Sequence, residues 1–245
     1  MKRFAPILAA CTLTACTTLV PPPIVDLEGV DPDEAWERVL AEYVDEAGRI
    51  DFDSLPVGSL DLNRWVAWLA LEKNQDLSGD AKLAYMINGY NGLAMYNAIH
   101  ASAKPSSMAD FFYFHRLVFE GKEISLYTLE NEYIRTLGDP RVHFALNCMV
   151  RSCPRLPQEP FRAEELDAQL EAAAREFLGD PRHVRLDAAE ETVWFSAILD
   201  WYEEDFLAEA PSLIDYVNRY RDEPIPAGWD HEFSEYDWSL NAQTP

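Results

Sequence analysis

Apolar residues recur three or four positions apart along most of the chain, the spacing that gathers side chains on one face of an α-helix. This spacing predicts helices over residues 31–44, 62–71, 126–137, 163–178, 197–206 and 213–220. An aspartate followed by a proline opens the first of them, and a serine precedes the third, as is usual where helices begin. Helices are therefore expected to dominate the fold.

One further predicted helix, residues 81–100, is apolar nearly all the way round. A helix of that character lies in the centre of a domain. It nevertheless carries Asn88 and Asn91, which are one turn apart. Because a buried amide without a partner costs about 1–3 kcal/mol, these side chains either hold neighbouring backbone or bind a substrate.

Two segments alternate apolar and polar residues on either side of a polar turn, which is typical of β-hairpins. They are residues 116–119 with 123–125, and residues 184–186 with 192–195. Many helices combined with two short hairpins indicate an α+β fold. We expect a helix-rich single domain with a small antiparallel sheet.

Residues 139–156 gather most of the candidate chemistry. An Asp-Pro pair predicts the start of a helix on which His143 and Asn147 share a face. On that helix Cys148 would lie about 140° round from His143, so the two side chains would not meet within it. Cys153 follows in a proline-punctuated loop, which can fold back towards His143.

Glu130 lies at the edge of the apolar stripe of the predicted helix 126–137. A carboxylate that faces a core is uncommon unless it is paired. His143 is the nearest candidate partner in the chain. We therefore expect Glu130 to contact His143.

The N-terminus has the layout of an export signal. Lys2 and Arg3 precede a short apolar run that ends in small residues, and the run is too short to span a bilayer. The tetrapeptide that ends at Cys16 resembles the lipobox of bacterial lipoproteins, in which the cysteine is lipidated. An ordinary secreted protein with a cysteine at the cleavage site by chance is the alternative.

This interpretation divides the chain into three parts. Residues 1–15 are a lipoprotein signal peptide, residues 16–30 are the lipidated cysteine with a flexible tether, and residues 31–245 are one globular domain. In such lipoproteins, an aspartate directly after the lipidated cysteine favours retention at the inner membrane. This chain has Thr17 at that position, so we expect an outer-membrane lipoprotein that faces the periplasm. The lipid anchor would make the membrane a partner of the protein.

The formal net charge of −23 limits the other partners. A field of that sign repels phosphate backbones, so nucleic acid is not expected to bind. It suits a neutral or cationic substrate instead. With 48% apolar residues the chain can build a substantial core.

A series of motifs runs in order along the chain: Met86-Ile87-Asn88-Gly89-Tyr90-Asn91, Leu129-Glu130, Arg141-Val142-His143-Phe144-Ala145-Leu146-Asn147-Cys148, Ser152-Cys153-Pro154, Trp201-Tyr202 with Asp205-Phe206, and Tyr236-Asp237-Trp238-Ser239-Leu240-Asn241. They resemble the bacterial branch of the "domain of unknown function 547" family, from about residue 33 to residue 241. The family usually has alanine at the position of Gly89. The resemblance implies a cluster of Glu130, His143 and one of the two late cysteines, similar in residue types to the thiol triads of papain-like and transglutaminase-like enzymes.

A thiol hydrolase or acyl transferase is one interpretation of this cluster. Cys153, or Cys148 in its place, would attack an amide, with His143 as the base and Glu130 or Asn147 as the group that orients the imidazole. An amide of the central helix would donate to the oxyanion. A peptide or a peptidoglycan stem is the expected substrate.

A non-catalytic binding or scaffold module of the cell envelope is the alternative. In it, Cys148 and Cys153 would form a structural disulfide, which an oxidising compartment favours and which would remove the thiol nucleophile. The five histidines occur singly, and the chain has no His-x-x-x-His or Cys-x-x-Cys spacing. We therefore predict neither a metal site nor a cofactor.

Overall fold

The computed structural model describes residues 17–55, 59–71, 76–100 and 106–243. The predicted signal peptide and Cys16 lie outside the described residues. The described chain forms a helix-rich α+β domain, as the sequence predicts, with two small sheets in place of the one expected.

The α-helices follow the predicted positions closely. They are α1 (Pro32–Tyr43), α2 (Leu60–Leu71), α3 (Gly79–His100), α4 (Leu126–Thr128), α5 (Leu166–Gly179), α6 (Ala197–Trp201), α7 (Glu203–Leu207) and α8 (Leu213–Asn218). Asp31 caps α1 by accepting the backbone N–H groups of Asp33 and Glu34, and Ser125 caps α4 by accepting that of Thr128.

The predicted helix 126–137 changes its winding twice. A π-helix (Leu129–Ile134) follows α4, and a short 3₁₀ turn then ends at Gly138, which adopts a left-handed conformation. A second π-helix covers Ala109–Phe114, and a 3₁₀-helix covers Pro140–Phe144. π-Helical turns are rare and often occur at functional sites, and both of these border the cavity described below.

The two sheets have three strands each and mix parallel with antiparallel pairing, which corrects the predicted antiparallel sheet. Their strands are β1 (Thr18–Leu19), β2 (His115–Phe119), β3 (Lys122–Ile124), β4 (Val184–Asp187), β5 (Thr192–Phe195) and β6 (Asp230–Phe233). The hairpins β2–β3 and β4–β5 are antiparallel as predicted. The strands from the ends of the chain, β1 and β6, add in parallel, and both are too short and too polar for an alternating pattern.

The described part of the predicted tether is in contact with the domain at its start. Thr18 pairs with His115, and the backbone N–H of Val20 donates to the carbonyl of Arg116 at 2.8 Å. The hydroxyl of Tyr96 donates to the carbonyl of Pro21 at 2.9 Å. These contacts fix the start of a segment that we expected to be flexible over residues 16–30.

The core has two main parts. The first surrounds α3 and includes the stacked indoles of Trp36, Trp65 and Trp68, and the second packs α5–α8 against β4 and β5. Val142 belongs to the first part and Phe144 to the second. The residue between them, His143, therefore lies where the two parts meet. Within the described ranges, no helix is both long and apolar enough to cross a membrane.

Gly92 is expected to be far less tolerant of alanine than Gly89. A Cβ at Gly92 would overlap the buried indole of Trp65, whereas a Cβ at Gly89 would lie 3.0 Å from the ring edge of Phe119. Gly92→Ala should lower the free energy of unfolding by about 1–3 kcal/mol. Gly89→Ala should change it by less than about 1 kcal/mol, because helix propensity offsets the tighter contact. Urea unfolding of both variants checks this, and equal losses would contradict it.

Candidate active site

A cavity of roughly 370 Å³ lies where the two parts of the core meet. It brings together Glu130, His143, Cys148 and Cys153, which the sequence predicted as site residues. Most of the remaining wall is aromatic and consists of Tyr90, Phe112, Tyr113, Tyr127, Trp201, Tyr202, Tyr236 and Trp238. The predicted candidates thus share one cavity, although they come from three separate segments.

His143 is fixed by Asp205. The imidazole is 3% exposed, and its Nε2 lies 2.7 Å from Oδ2 of Asp205. Its ring stacks on Tyr202 at 3.9 Å between centroids, with an angle of 15° between the planes. The sequence led us to expect Glu130 or Asn147 as the partner of His143. The partner is instead Asp205.

The electrostatics of Asp205 determine the tautomer of His143. Partial burial alone would raise the pKa of Asp205, but the hydrogen bonds from His143 and Arg135 lower it well below the usual range. An ionised carboxylate only accepts hydrogen bonds, so Nε2 of His143 carries the proton. In the neutral imidazole the buried Nδ1 is then an acceptor, and it has no hydrogen-bond partner among the described residues. It is the atom that can take a proton in a reaction.

Arg135 holds Asp205 in place. Its Nε and Nη2 donate to the two carboxylate oxygens of Asp205 at 2.7 and 2.8 Å. Nη2 also donates to Glu204 and Nη1 to Asn131, each at 2.8 Å. Two parallel bonds from a planar guanidinium fix a carboxylate in both position and angle. The imidazole of His143 is consequently oriented by a group that cannot rotate freely.

The helix that carries His143 is shorter than predicted. Asp139 caps it and Pro140 opens it, as expected, but it ends at Phe144. Asn147 and Cys148 therefore follow the helix, and the angle of 140° that we predicted between His143 and Cys148 does not apply. The backbone then turns sharply, with φ of 68° at Met149.

Asn147 explains this early end. Its side chain accepts the backbone N–H of Met149 and donates to the carbonyl of Pro154, both at 2.7 Å. Its own backbone N–H donates at 2.8 Å to Oδ1 of Asn91, whose Nδ2 donates to the carbonyl of Ala145 at 3.0 Å. Asparagine side chains that bind nearby backbone compete with helical hydrogen bonds in this way. The two amides thus shape the loop that carries the cysteines.

The amides that the sequence offered as substrate-binding or orienting groups, Asn88, Asn91 and Asn147, hold backbone and do not line the cavity. The side chain of Asn88 accepts the backbone N–H of Phe161 at 3.0 Å and the indole N–H of Trp36 at 3.3 Å. It also donates to the carbonyl of Phe161 at 2.8 Å. Asn88, like Asn91 and Asn147, therefore positions a loop, which was the other interpretation that the sequence left open.

Cys148 and Cys153 are free thiols, 8% and 6% exposed. Sγ of Cys153 accepts the backbone N–H of Cys148 at 3.0 Å and the hydroxyl of Tyr236 at 3.4 Å. Burial opposes ionisation of Cys153, yet its pKa is lowered because Cys148 and Tyr236 donate to its sulfur. Burial and the neighbouring Cys153 instead raise the pKa of Cys148. Cys153 is therefore the better thiolate.

Tyr236→Phe should slow the alkylation of Cys153 by iodoacetamide at pH 7 by about three- to tenfold. The variant keeps the ring but removes an O–H donor to the sulfur, which is worth about 1 kcal/mol. The pKa of Cys153 should rise, because only the thiolate gains from that donor. Rates measured from pH 5 to 9 by peptide mass spectrometry check the shift. A profile identical to that of the wild type would contradict the role of Tyr236.

Glu130 lies in the cavity wall but apart from His143. It is 7% exposed on the π-helix Leu129–Ile134, and its Oε2 accepts the hydroxyl of Tyr90 at 3.3 Å. The pKa of Tyr202 is raised, chiefly by burial. The charge of Glu130 and the hydrogen bond between Tyr202 and Glu130 raise it further. The two phenols thus partner Glu130, and the expected contact with His143 is not formed.

No group of three or more His, Cys, Asp or Glu residues in the described parts of the chain is arranged to hold a metal ion.

Residues 74–178 match the sequence model of a family described as "Protein of unknown function, DUF547". The match supports this domain family. The matched residues include Glu130, His143, Cys148 and Cys153. No curated protein and no solved structure matches the chain.

Asp205 and Tyr236 are the functional candidates that the residue-by-residue reasoning missed. Both lie outside residues 74–178, the part that matches the family model. Each nevertheless belongs to a motif that carries the family resemblance, Trp201-Tyr202 with Asp205-Phe206 and the run that begins at Tyr236. The sequence therefore contained a signal for both residues. Only the folded structure shows that Asp205 contacts His143 and that Tyr236 contacts Cys153.

Proposed function

We propose that the protein is a thiol-dependent hydrolase or acyl transferase that acts on peptide or amide bonds. One observation supports this proposal: Cys153 and His143 line the same cavity. The sulfur of Cys153 accepts two hydrogen bonds, and the imidazole of His143 is held in one orientation by Asp205. A nucleophile, a base and a group that orients the base are the parts that acyl transfer through a cysteine requires.

The proposed first step forms a thioester. The proton of Cys153 passes to Nδ1 of His143, and the sulfur attacks the carbonyl carbon to form a C–S bond. The negative charge moves to the carbonyl oxygen, near the hydroxyl of Tyr236, which then has a new acceptor. As the C–N bond breaks, His143 returns its proton to the leaving amine nitrogen. Asp205 stabilises the imidazolium between these two transfers.

The second step releases the acyl group from Cys153. Water or an amine attacks the thioester carbon and gives its proton to His143; the C–S bond then breaks, and His143 returns the proton to the sulfur of Cys153. Water makes the protein a hydrolase, and an amine makes it a transferase. A peptidoglycan stem peptide is a substrate of the right chemistry for an exported protein.

Selective alkylation of Cys153 tests the proposal. At pH 7, iodoacetamide should label Cys153 faster than Cys148, because the pKa of Cys153 is lowered and that of Cys148 is raised, so that Cys153 has the larger thiolate fraction. His143→Ala should reduce labelling of Cys153, and the exposed His231 provides a matched control, His231→Ala, that leaves it unchanged. Peptide mass spectrometry separates the two sites.

The competing scaffold module predicts the opposite result for the thiols. A Cys148–Cys153 disulfide that persists quantitatively in the native compartment would remove the nucleophile and contradict the enzyme. The free thiols and the two donors to Cys153 favour the reactive state. Thiol quantification with and without reductant distinguishes the two functions.

We also propose that Cys16 is lipidated and anchors the protein to the outer membrane, facing the periplasm. The basic and apolar leader and the lipobox-like tetrapeptide support this. Because Thr18 pairs with β2, only Thr17 would separate the lipid from the domain, which would hold the domain at the membrane surface.

Cys16→Ser is expected to move the protein from the membrane fraction to the soluble fraction. It should also abolish incorporation of an alkyne-labelled fatty acid, whereas Cys11→Ser should change neither result. Membrane fractionation and fluorescent detection of the alkyne check this. Unchanged membrane association of Cys16→Ser would contradict the anchor.

A further inference from the structure

Glu130 is a buried carboxylate that the proposed acyl transfer does not use. It is 7% exposed, and the hydroxyl of Tyr90 donates to it. No arginine, lysine or histidine of the described residues forms an ion pair with it. A buried charge is costly unless an opposite charge or several hydrogen bonds compensate it. Glu130 therefore has no cationic partner among the described residues, and a bound cation would supply one.

The guanidinium that shares this cavity is already neutralised. Arg135 donates to Asp205 and Glu204, and its remaining terminal nitrogen donates to Asn131. It also lies over the ring of Tyr202, 5.2 Å from the centroid. Because Arg135 is held by two carboxylates, it does not compensate Glu130.

The walls around Glu130 favour a cation as well. Tyr90 and Tyr202 border the carboxylate, and Tyr113 and Tyr127 stack at 4.6 Å where the cavity meets solvent. Ring faces attract ammonium groups, by about 0.5–2 kcal/mol for each contact. The charge of Glu130 reaches these rings, because it adds to burial and to Tyr127 in raising the pKa of Tyr113.

We propose that this cavity binds a primary ammonium group of the substrate, held between Glu130 and the tyrosine rings. A primary ammonium group fits better than a quaternary one, because the carboxylate and the phenol oxygens accept its three N–H donors. The ligand class is an amine-bearing peptide, with a free amino terminus or an amino side chain close to the bond that reacts. This deepens the proposed function and rests on it only for the reaction that follows binding.

The test compares two ligands that differ in one charge. They are Nα-acetyl-lysine methylamide and its Nε-acetylated analogue, titrated into the full-length protein by calorimetry at constant ionic strength. The wild type should bind the ammonium form at least about tenfold more tightly. Glu130→Gln should remove that preference. Glu132→Gln, which removes the same charge from an exposed position of the same π-helix, should keep it.

A second variant keeps the test valid if Glu130→Gln does not fold. Tyr127→Leu changes an exposed wall residue and should weaken binding of the ammonium form about threefold, while leaving the acetylated form unchanged. Equal binding of both ligands to the wild type, no binding of either, or a preference that survives Glu130→Gln would overturn the proposal.

The titration does not depend on the thiol, so its failure is distinct from failure of the proposed function. A preference for the ammonium form together with an unreactive Cys153 would contradict the acyl transfer alone. A reactive Cys153 without that preference would contradict the ammonium site alone.

Discussion

Asp205→Asn is expected to slow the acylation of Cys153 by about a thousandfold. An asparagine at this position can donate to Nε2 of His143, which stabilises the tautomer that carries its proton on Nδ1. That tautomer cannot accept the proton of the thiol. In serine proteases, the same exchange of an orienting carboxylate for an amide costs about 10⁴ in rate. The burst of nitrophenolate from p-nitrophenyl acetate, measured by stopped flow, reports the acylation rate.

Glu204→Gln is the matched control for this measurement. Glu204 also accepts a hydrogen bond from Arg135, at 2.8 Å, but its side chain is 81% exposed. An exposed ion pair contributes little, so the burst should stay within about twofold of the wild-type rate. A wild-type rate of the burst phase in Asp205→Asn would show that Asp205 does not orient the base.

The second large effect concerns stability at low pH. His183 is 6% exposed and stacks on Phe177 at 3.8 Å. Burial lowers its pKa from 6.5 to about 4, although the charge of Asp180 opposes the shift. Between these two values the unfolded chain binds a proton that the folded protein does not, so the free energy of unfolding falls as the pH falls from 6.5 to 4. The group should account for about 3 kcal/mol over that interval.

Urea unfolding at several pH values isolates this contribution. His183→Phe should lose about 2–3 kcal/mol less than the wild type between pH 7 and pH 4.5, because it has no imidazole to protonate. His231→Phe, at an exposed position in β6, should keep the wild-type dependence. Identical pH dependence in His183→Phe and the wild type would contradict the buried neutral imidazole.

Periodicity was enough to predict most of the fold. The apolar character of α3 predicted its central position, and Asp31 and Ser125 predicted two helix starts that their hydrogen bonds confirm. The strands β1 and β6 could not be predicted in the same way. Their pairing joins residues far apart in the chain, and neither has an alternating apolar face.

The sequence was enough to predict which residues line the candidate site, but not which of them contact each other. Glu130, His143, Cys148 and Cys153 line one cavity. Helical spacing beyond Phe144 failed because Asn147 binds backbone and ends the helix. No local rule brings Asp205 to His143, since 62 positions separate them.

Glu130 shows the limit of reasoning from the nearest residue in the chain. Its position at the edge of an apolar stripe predicted a carboxylate that needs a partner. His143 was nearest in sequence, but the folded protein places the phenol of Tyr90 beside Glu130 and the carboxylate of Asp205 beside His143. In the functions proposed above, the two acids therefore have different roles: Asp205 orients the imidazole of His143, and Glu130 receives the ammonium group.

In the proposed reaction, Cys153 carries the acyl group. The most direct measurement is mass spectrometry of the protein quenched with acid during its reaction with p-nitrophenyl acetate. We expect one acetyl group on Cys153, absent from Cys153→Ser and strongly reduced in His143→Ala. Acetylation confined to other residues, or an unreactive Cys148–Cys153 disulfide in the native protein, would contradict it.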